Sequence, residues 1–492
     1  MEILQVSLFI AVFLTMALAM FLRKIPALIA LPIMAFIIPL IGGVSLNHTI
    51  QLVIGEGAIK LHNAYTVAIF GSMLSLLLQK TGVAENFIKI GAELAGDNPW
   101  SIAVIMLILI ISLFTTLGGL GAIIMVATIV LPIMSSVGLG PMTVIGTFLF
   151  GLSIGGILNA GNWAVYIDIM GLTLDQIRPF ALMMFGLTFL TALVYITIQL
   201  YRDGHDLKIR RIIFRILLII AIGGLIYVFY MTLNDSTKNL IKNILSWVGT
   251  ILKHSIAAGI TLLFLLNIVR ILLYKNKTSS QIYWTAYLTP LIPLFLILIF
   301  SMNFITAFIC GLVYGFLATY RRGSLNIFIQ SIFEGGAVVM PAVVLMLGIG
   351  MLLNAVIGPG ESWNQINNQS WPVLTLLQPV MAQIVPENRW FYVLLFGLAA
   401  PLALYRGPLN VWGMGYGLAA VFLASGMKAG AIMGLLMAVG QVQGISDPTN
   451  TQNVWLANEM QQDVQKILWN TIPYTWSVAI LGLLISSLLF LN

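Results

Sequence analysis

Ten residues late in the sequence carry more polar chemistry than their surroundings allow: Gly444-Ile-Ser-Asp-Pro-Thr-Asn-Thr-Gln-Asn453. The flanks, 429–440 and 454–457, are apolar enough to cross a bilayer. Pro448 has no backbone donor and clashes with the preceding turn, so a helix through this stretch must break. The backbone groups freed there need protein, water or an ion as partners. Ser446, Asp447, Thr449 and Asn453 supply hydroxyl, carboxylate and amide oxygens suited to a proton or Na+. Thr449 and Asn450 also offer donors to an anion. Upstream, the stretch 399–410 contains Tyr405, Arg406, Gly407 and Asn410. Arg406 is the lone charge in its apolar segment. Charges at membrane depth are costly and mark function by default. A guanidinium fork matches a carboxylate through two hydrogen bonds. Gly407 and Pro408 bend the chain so that backbone N–H groups approach the same point. A structural alternative stays open, an Arg406–Asp447 ion pair bracing one segment against the other.

A milder version of this pairing occurs earlier. Thr115-Thr-Leu-Gly-Gly-Leu-Gly121 interrupts one apolar run, and Gly155-Gly-Ile-Leu-Asn-Ala-Gly-Asn162 interrupts the next. Thr115, Thr116, Gly118, Gly119, Asn159 and Asn162 offer hydroxyls, amides and backbone N–H groups to an anion. Thr116, Gly156 and Asn159 offer oxygens to a coupling cation. The competing reading is that Gly and Thr only permit close helix packing.

The elements that position these residues follow from composition. The 492 residues are 60% hydrophobic and 8% charged, with mean hydropathy +1.02. Soluble domains run near 25% charged. Apolar runs of about 20 residues recur along the length, so the chain reads as an all-α polytopic membrane protein. The +7 charge is explained by basic loops between spans rather than by nucleic acid. The single cysteine, Cys310, excludes an intrachain disulfide, and no Cys/His cluster suggests a metal. Nothing pairs a nucleophile with a base, so the chain does not read as an enzyme. No cofactor is expected beyond Na+ as a coupling ion.

The interrupted runs read as two re-entrant hairpins, 99–137 and 390–424, and two broken helices, 141–172 and 428–457. An offset of 288 maps Gly119 onto Gly407, Gly138 onto Gly426, Gly156 onto Gly444, Asn159 onto Asp447 and Asn162 onto Asn450. An offset of 278 maps Glu56, Gly57 and Met73 onto Glu334, Gly335 and Met351. The chain therefore divides into a first repeat, 1–202, connecting spans, 203–280, and a second repeat, 281–492. If the hairpins do not cross, about twelve spans result, and the two repeats are inverted. The absence of basic residues before the first apolar run places the N-terminus outside. That orientation puts thirteen basic residues inside against seven outside, the expected bias, with the C-terminus also outside. The tryptophans at 100, 363, 371, 390 and 469 read as interfacial anchors.

Three stretches resemble the citrate/metal-ion symporter branch of the ion transporter superfamily. They are Ala27-Leu-Ile-Ala-Leu-Pro-Ile-Met34, the run from Leu117-Gly-Gly-Leu-Gly121 to Leu131-Pro-Ile-Met134, and Thr289-Pro-Leu-Ile-Pro293. Gly444-Ile-Ser-Asp-Pro-Thr-Asn450 is similar to a Ser-Pro stretch of that branch. The resemblance implies a citrate transporter-like fold with inverted repeats, a moving domain of hairpins and broken helices, and a homodimer. It also implies uptake of an organic anion driven by H+ or Na+. Where the branch has an acidic first hairpin, this chain has Thr115-Thr-Leu-Gly-Gly119, which points away from metal–citrate as cargo.

The function expected is secondary active transport of a small organic anion, a carboxylate, coupled to H+ or Na+. It proceeds by an elevator-like motion in a bacterial inner membrane. A cation/proton antiporter using Asp447 and the membrane subunit of a multi-component uptake system are the alternatives. A membrane enzyme would need a His, acid pair or metal that the sequence does not offer.

Overall fold

A computed structural model describes residues 2–22, 24–205, 235–273, 282–321, 323–381, 386, 388–411 and 415–491. They form an all-α integral membrane protein, with no strand among the described residues. Six described helices are long and apolar enough to cross a membrane, or seven if the bent pair Pro141–Ile157 and Ala160–Met170 counts as one. Shorter apolar helices, such as Ala27–Ile41 and Phe304–Ala318, pack among them. The span expected at about 212–232 lies outside the described residues.

Each apolar run that was expected to be interrupted is built from two helical pieces. Pro99–Phe114 and Leu120–Ser136 meet at 115–119, and Arg389–Ala399 leads through a 3-10 turn, Ala400–Arg406, towards Tyr416–Ala424. At 1.5 Å per residue, a 16-residue helix is about 24 Å long, short of the roughly 30 Å hydrocarbon core. Both pairs start in the same way. The Asn98 side chain accepts from the Trp100 and Ser101 N–H groups, and Asn388 accepts from the Trp390 N–H. These caps satisfy donors that a helix start leaves bare. Both pairs also end alike. Gly138 and Gly426 take φ of 83° and 87°, a conformation that Cβ-bearing residues resist.

The broken helices follow at once. Pro141–Ile157 bends by 47° into Ala160–Met170. Ala429–Ser446 gives way at Asp447-Pro448 and resumes as Thr451–Glu459. The most apolar 18-residue stretch within 429–459 is 78% buried, against 6% for that within 246–273, so the first half of the second broken helix sits at the centre of the molecule. Leu174–Arg202 and Val464–Phe490 flank the two broken helices.

Around this centre stands a frame built on Leu46–Lys80 and Ser324–Ile357. The two helices run antiparallel with their backbones nearly touching. A Cβ on Gly57 would lie 2.7 Å from Met351 Cα, and one on Gly335 would lie 2.6 Å from Met73 Cα. The offset of 278 makes these the same contact twice, with the partners exchanged.

Two expectations are corrected here. The polar segment 45–63 reads as a link, but Leu46–Lys80 is helical almost throughout, with a π-helical turn at Thr49–Gly55. Its polar groups are paired inside the frame. Lys60 Nζ donates to Asn354 Oδ1 at 2.6 Å, and Asn354 Nδ2 donates to the Leu52 carbonyl at 3.0 Å. Trp363 and Trp371 read as interfacial anchors but are 7% and 3% exposed. They pack edge to face, and Trp371 Nε1 donates to the Ala355 carbonyl. Trp390 and Trp469 are exposed.

Candidate functional site

The tip at 115–119 closes on itself. The Thr115 hydroxyl donates to the Ser112 carbonyl at 2.8 Å, and that of Thr116 donates to the Leu113 carbonyl at 3.2 Å. Both threonines are buried, so their hydroxyls satisfy the last turn of their own helix. Gly118 and Gly119 carry the backbone onward, and Gly119 (φ 84°) starts the next helix without a side-chain cap.

The first break is stitched by its own polar residues. Asn159 Oδ1 accepts from the Gly161 N–H, capping the second half of the helix. Its Nδ2 lies 3.2 Å and 3.5 Å from the Phe114 and Leu117 carbonyls of the tip. Asn162 Nδ2 reaches back to the Gly156 carbonyl at 2.7 Å, and Trp163 Nε1 donates to the Ile157 carbonyl at 2.7 Å. Carbonyls freed by the bend thus regain donors, as membrane depth requires.

The second tip is strained. Tyr405 and Arg406 are consecutive residues with φ of 54° and 56°. A left-handed conformation costs a side-chain-bearing residue roughly 1–2 kcal/mol. What holds it is Asp447, which is fully buried. Its Oδ1 accepts from the Tyr405 N–H at 3.0 Å, the Thr449 N–H at 2.9 Å and the Thr449 hydroxyl at 2.7 Å. Its Oδ2 accepts from Asn410 Nδ2 at 3.3 Å. No ion pair joins Arg406 to Asp447 among the described residues. The bracing pair that the sequence left open is replaced by four neutral donors. Asn450 Nδ2 donates to the Gln443 carbonyl at 2.6 Å and Asn453 Nδ2 to the Ile445 carbonyl at 2.8 Å, so this break is stitched like the first.

Both tips and both breaks border one cavity of about 990 Å³. Gly118, Gly119, Gly156, Asn159, Asn162, Arg406, Asn410, Thr449 and Asn450 all reach its wall. Thr115, Thr116, Gly407, Ser446, Asp447 and Asn453 do not. Ser446 instead shares hydrogen bonds with the Thr471 and Thr475 hydroxyls, each at 2.8 Å. Asn453 Oδ1 is buried without a partner among the described residues. Arg406 is the one charged side chain on the wall among the described residues, and no carboxylate lines it. Arg406 is exposed there.

Sequence reasoning missed several wall residues. Ser153 and Gln441 face each other from the two broken helices, with the Ser153 hydroxyl donating to Gln441 Oε1 at 2.8 Å. They are separated by the same 288 residues that relate the breaks, a signal that was available one turn before each break. Gln443 lines the wall and accepts from the Val411 N–H at 2.7 Å. Tyr166, Tyr416 and Gln452 complete the polar part. Nothing marked them, because tyrosine and glutamine are unremarkable inside a polytopic bundle. No cluster of His, Cys, Asp and Glu able to hold a metal occurs among the described residues.

The class is therefore an all-α membrane protein with paired interrupted helices closing around one polar cavity. The fold is similar to that of the Alcanivorax borkumensis YdaH transporter, whose crystal structure has been described as having an unusual topology. The likeness has a TM-score of 0.51 and 14% sequence identity, and covers 90% of this chain and 88% of that one. It is a likeness of fold, and it does not single out the citrate/metal-ion symporter branch. No family model and no curated protein matches the chain.

Proposed function

We propose that the chain is a secondary active transporter that moves a small organic anion, a carboxylate, in symport with H+ or Na+. The observation that carries this reading is Arg406, a guanidinium on the cavity wall that, among the described residues, has no partner and no carboxylate beside it on the wall. An anion entering this depth loses its hydration, and an uncompensated buried charge is expensive. One planar fork among neutral amides offsets that loss for a carboxylate and repels a cation. The antiporter reading would use Asp447 alone and gives Arg406 no role on the wall.

The frame supports a reading of alternating access. The contacts of Gly57 with Met351 and of Gly335 with Met73 exchange partners between two antiparallel helices. A two-fold axis relating antiparallel membrane-crossing helices lies in the membrane plane. This supports inverted repeats and the twelve-span, five-two-five topology. On that reading, tips and breaks travel together against the frame in an elevator motion, and the protein works as a homodimer in the bacterial inner membrane. Asn453 Oδ1, buried without a partner among the described residues, and Asp447, six residues earlier, are the oxygens we assign to the coupling cation. The likeness to a transporter fold agrees with membrane transport.

Counterflow in proteoliposomes tests it. Vesicles preloaded with a candidate carboxylate should accumulate labelled carboxylate, and an inward Na+ or proton gradient should drive uptake without preloading. Arg406→Gln should abolish both signals while the protein still folds. Uptake by Arg406→Gln at the wild-type rate would overturn the anion assignment.

A further inference from the structure

We propose that the cavity selects singly charged anions, with an uncharged remainder, over dianions and trianions. The inference rests on the anion-transport reading above and narrows it to a substrate class.

Among the described residues, the formal charge facing the ligand is one guanidinium. Helix ends do not add to it. Each tip and each break brings a helix C-terminus and the next helix N-terminus to the same wall, and their partial charges are opposite in sign. A second carboxylate would then need neutral donors, and the wall has spent many of its own. The Ser153 hydroxyl is given to Gln441, and Gln441 Nε2 donates to the Met437 carbonyl. The amides of Asn159, Asn162 and Asn450 are tied to carbonyls of the tip or breaks. Asn410 donates to the Ala403 carbonyl and to Asp447. Much of what remains is apolar: Phe114, Leu152, Ile157, Leu345, Leu436 and Met437. A dianion placing one carboxylate on Arg406 would leave the other among these side chains, engaged amides and a few neutral donors such as Gln452, with no second cation on the wall among the described residues. That costs desolvation without compensation. A volume of about 990 Å³ holds far more than a carboxylate head, so the uncharged part of the ligand has room against the apolar wall.

The test uses the full-length protein in nanodiscs and probes matched in size. Acetate, hexanoate and benzoate are titrated against succinate, adipate, isophthalate and citrate, at a pH where every carboxyl is ionised. The best monocarboxylate should bind at least about tenfold more tightly than its dicarboxylate match. The dicarboxylates should recover as the pH falls and one carboxyl protonates. Gln452→Lys, which adds a second cation to the wall without removing a hydrogen bond seen there, should raise dicarboxylate affinity towards that of the monocarboxylates. Equal or tighter dicarboxylate binding by the wild type, lost in Arg406→Gln, would overturn the selectivity and leave the anion reading standing. No binding across the whole panel, or binding that Arg406→Gln does not change, would overturn both.

Discussion

Asn159 and Asp447 lie 288 residues apart and tie the same two elements together with opposite polarity. Asn159 donates to the carbonyls of the first tip. Asp447 accepts from the backbone and side-chain N–H groups of the second. Asn159 also caps the half-helix that follows, through the Gly161 N–H, whereas Asp447 accepts from the Thr449 N–H, ahead of the helix that starts at Thr451. The difference lies in what each can hold in place. An amide stitching two carbonyls leaves a relaxed tip, in which only Gly119 needs a positive φ. A carboxylate gathering four donors can hold Tyr405 and Arg406 in the left-handed region and present a guanidinium to the cavity. One half of the molecule supplies a neutral wall and the other supplies the charge.

The largest effect expected from breaking this contrast is on stability. Asp447→Ala leaves several donors without an acceptor, and each buried donor left unsatisfied costs about 1–3 kcal/mol. Asn159→Ala removes two long hydrogen bonds to the tip and the cap on the Gly161 N–H, and should cost only about 1–2 kcal/mol. Unfolding in mild detergent, followed by tryptophan fluorescence, compares them. Equal losses would mean that the two stitches are equivalent and that the charge adds nothing to the second tip.

A smaller effect comes from exchanging the two groups. In Asp447→Asn one oxygen still accepts from the Tyr405 and Thr449 N–H groups, so the fold should survive with a loss of about 1–2 kcal/mol. Dependence of uptake on a cation gradient should disappear, while exchange of substrate continues. In Asn159→Asp a carboxylate faces two carbonyl oxygens, so the first tip should loosen while cation dependence stays. Gradient-driven uptake by Asp447→Asn at the wild-type level would remove Asp447 from coupling.

Much of this contrast was legible in the sequence, because the residues that make it are those a membrane helix excludes. Pro448, the glycine runs and the asparagines at 159, 162 and 450 mark breaks by what they cannot do in a helix. Periodicity gave no direction for their side chains. Thr115, Thr116, Ser446 and Asp447 look like wall residues by composition, yet they turn back onto their own helices or into the packing behind the tip. Ser153, Gln441 and Gln443 sit within helices, where polarity alone does not distinguish a wall from a packing face. The segment 45–63 reads as a loop because Lys60 is costly in a span, and its partner Asn354 is 294 residues away.

The smallest expected effect is the most informative about Arg406. Its φ of 56° is a conformation that glycine adopts without a Cβ penalty. Its side chain makes no hydrogen bond or ion pair among the described residues, so removing it strands no partner. Asp447 keeps all four donors when Arg406 is replaced, because none of them comes from Arg406. Arg406→Gly should therefore leave the melting temperature unchanged or raise it, by relief of up to ~1 kcal/mol of backbone strain offset by the entropy of a freer unfolded chain. Carboxylate binding should be lost in the same variant. A residue that can be deleted at no cost to the fold, and that occupies a strained conformation its neighbours enforce, is kept for what it contacts in the cavity. A clear fall in melting temperature for Arg406→Gly, with binding retained, would make Arg406 a structural residue and the second tip no different in kind from the first.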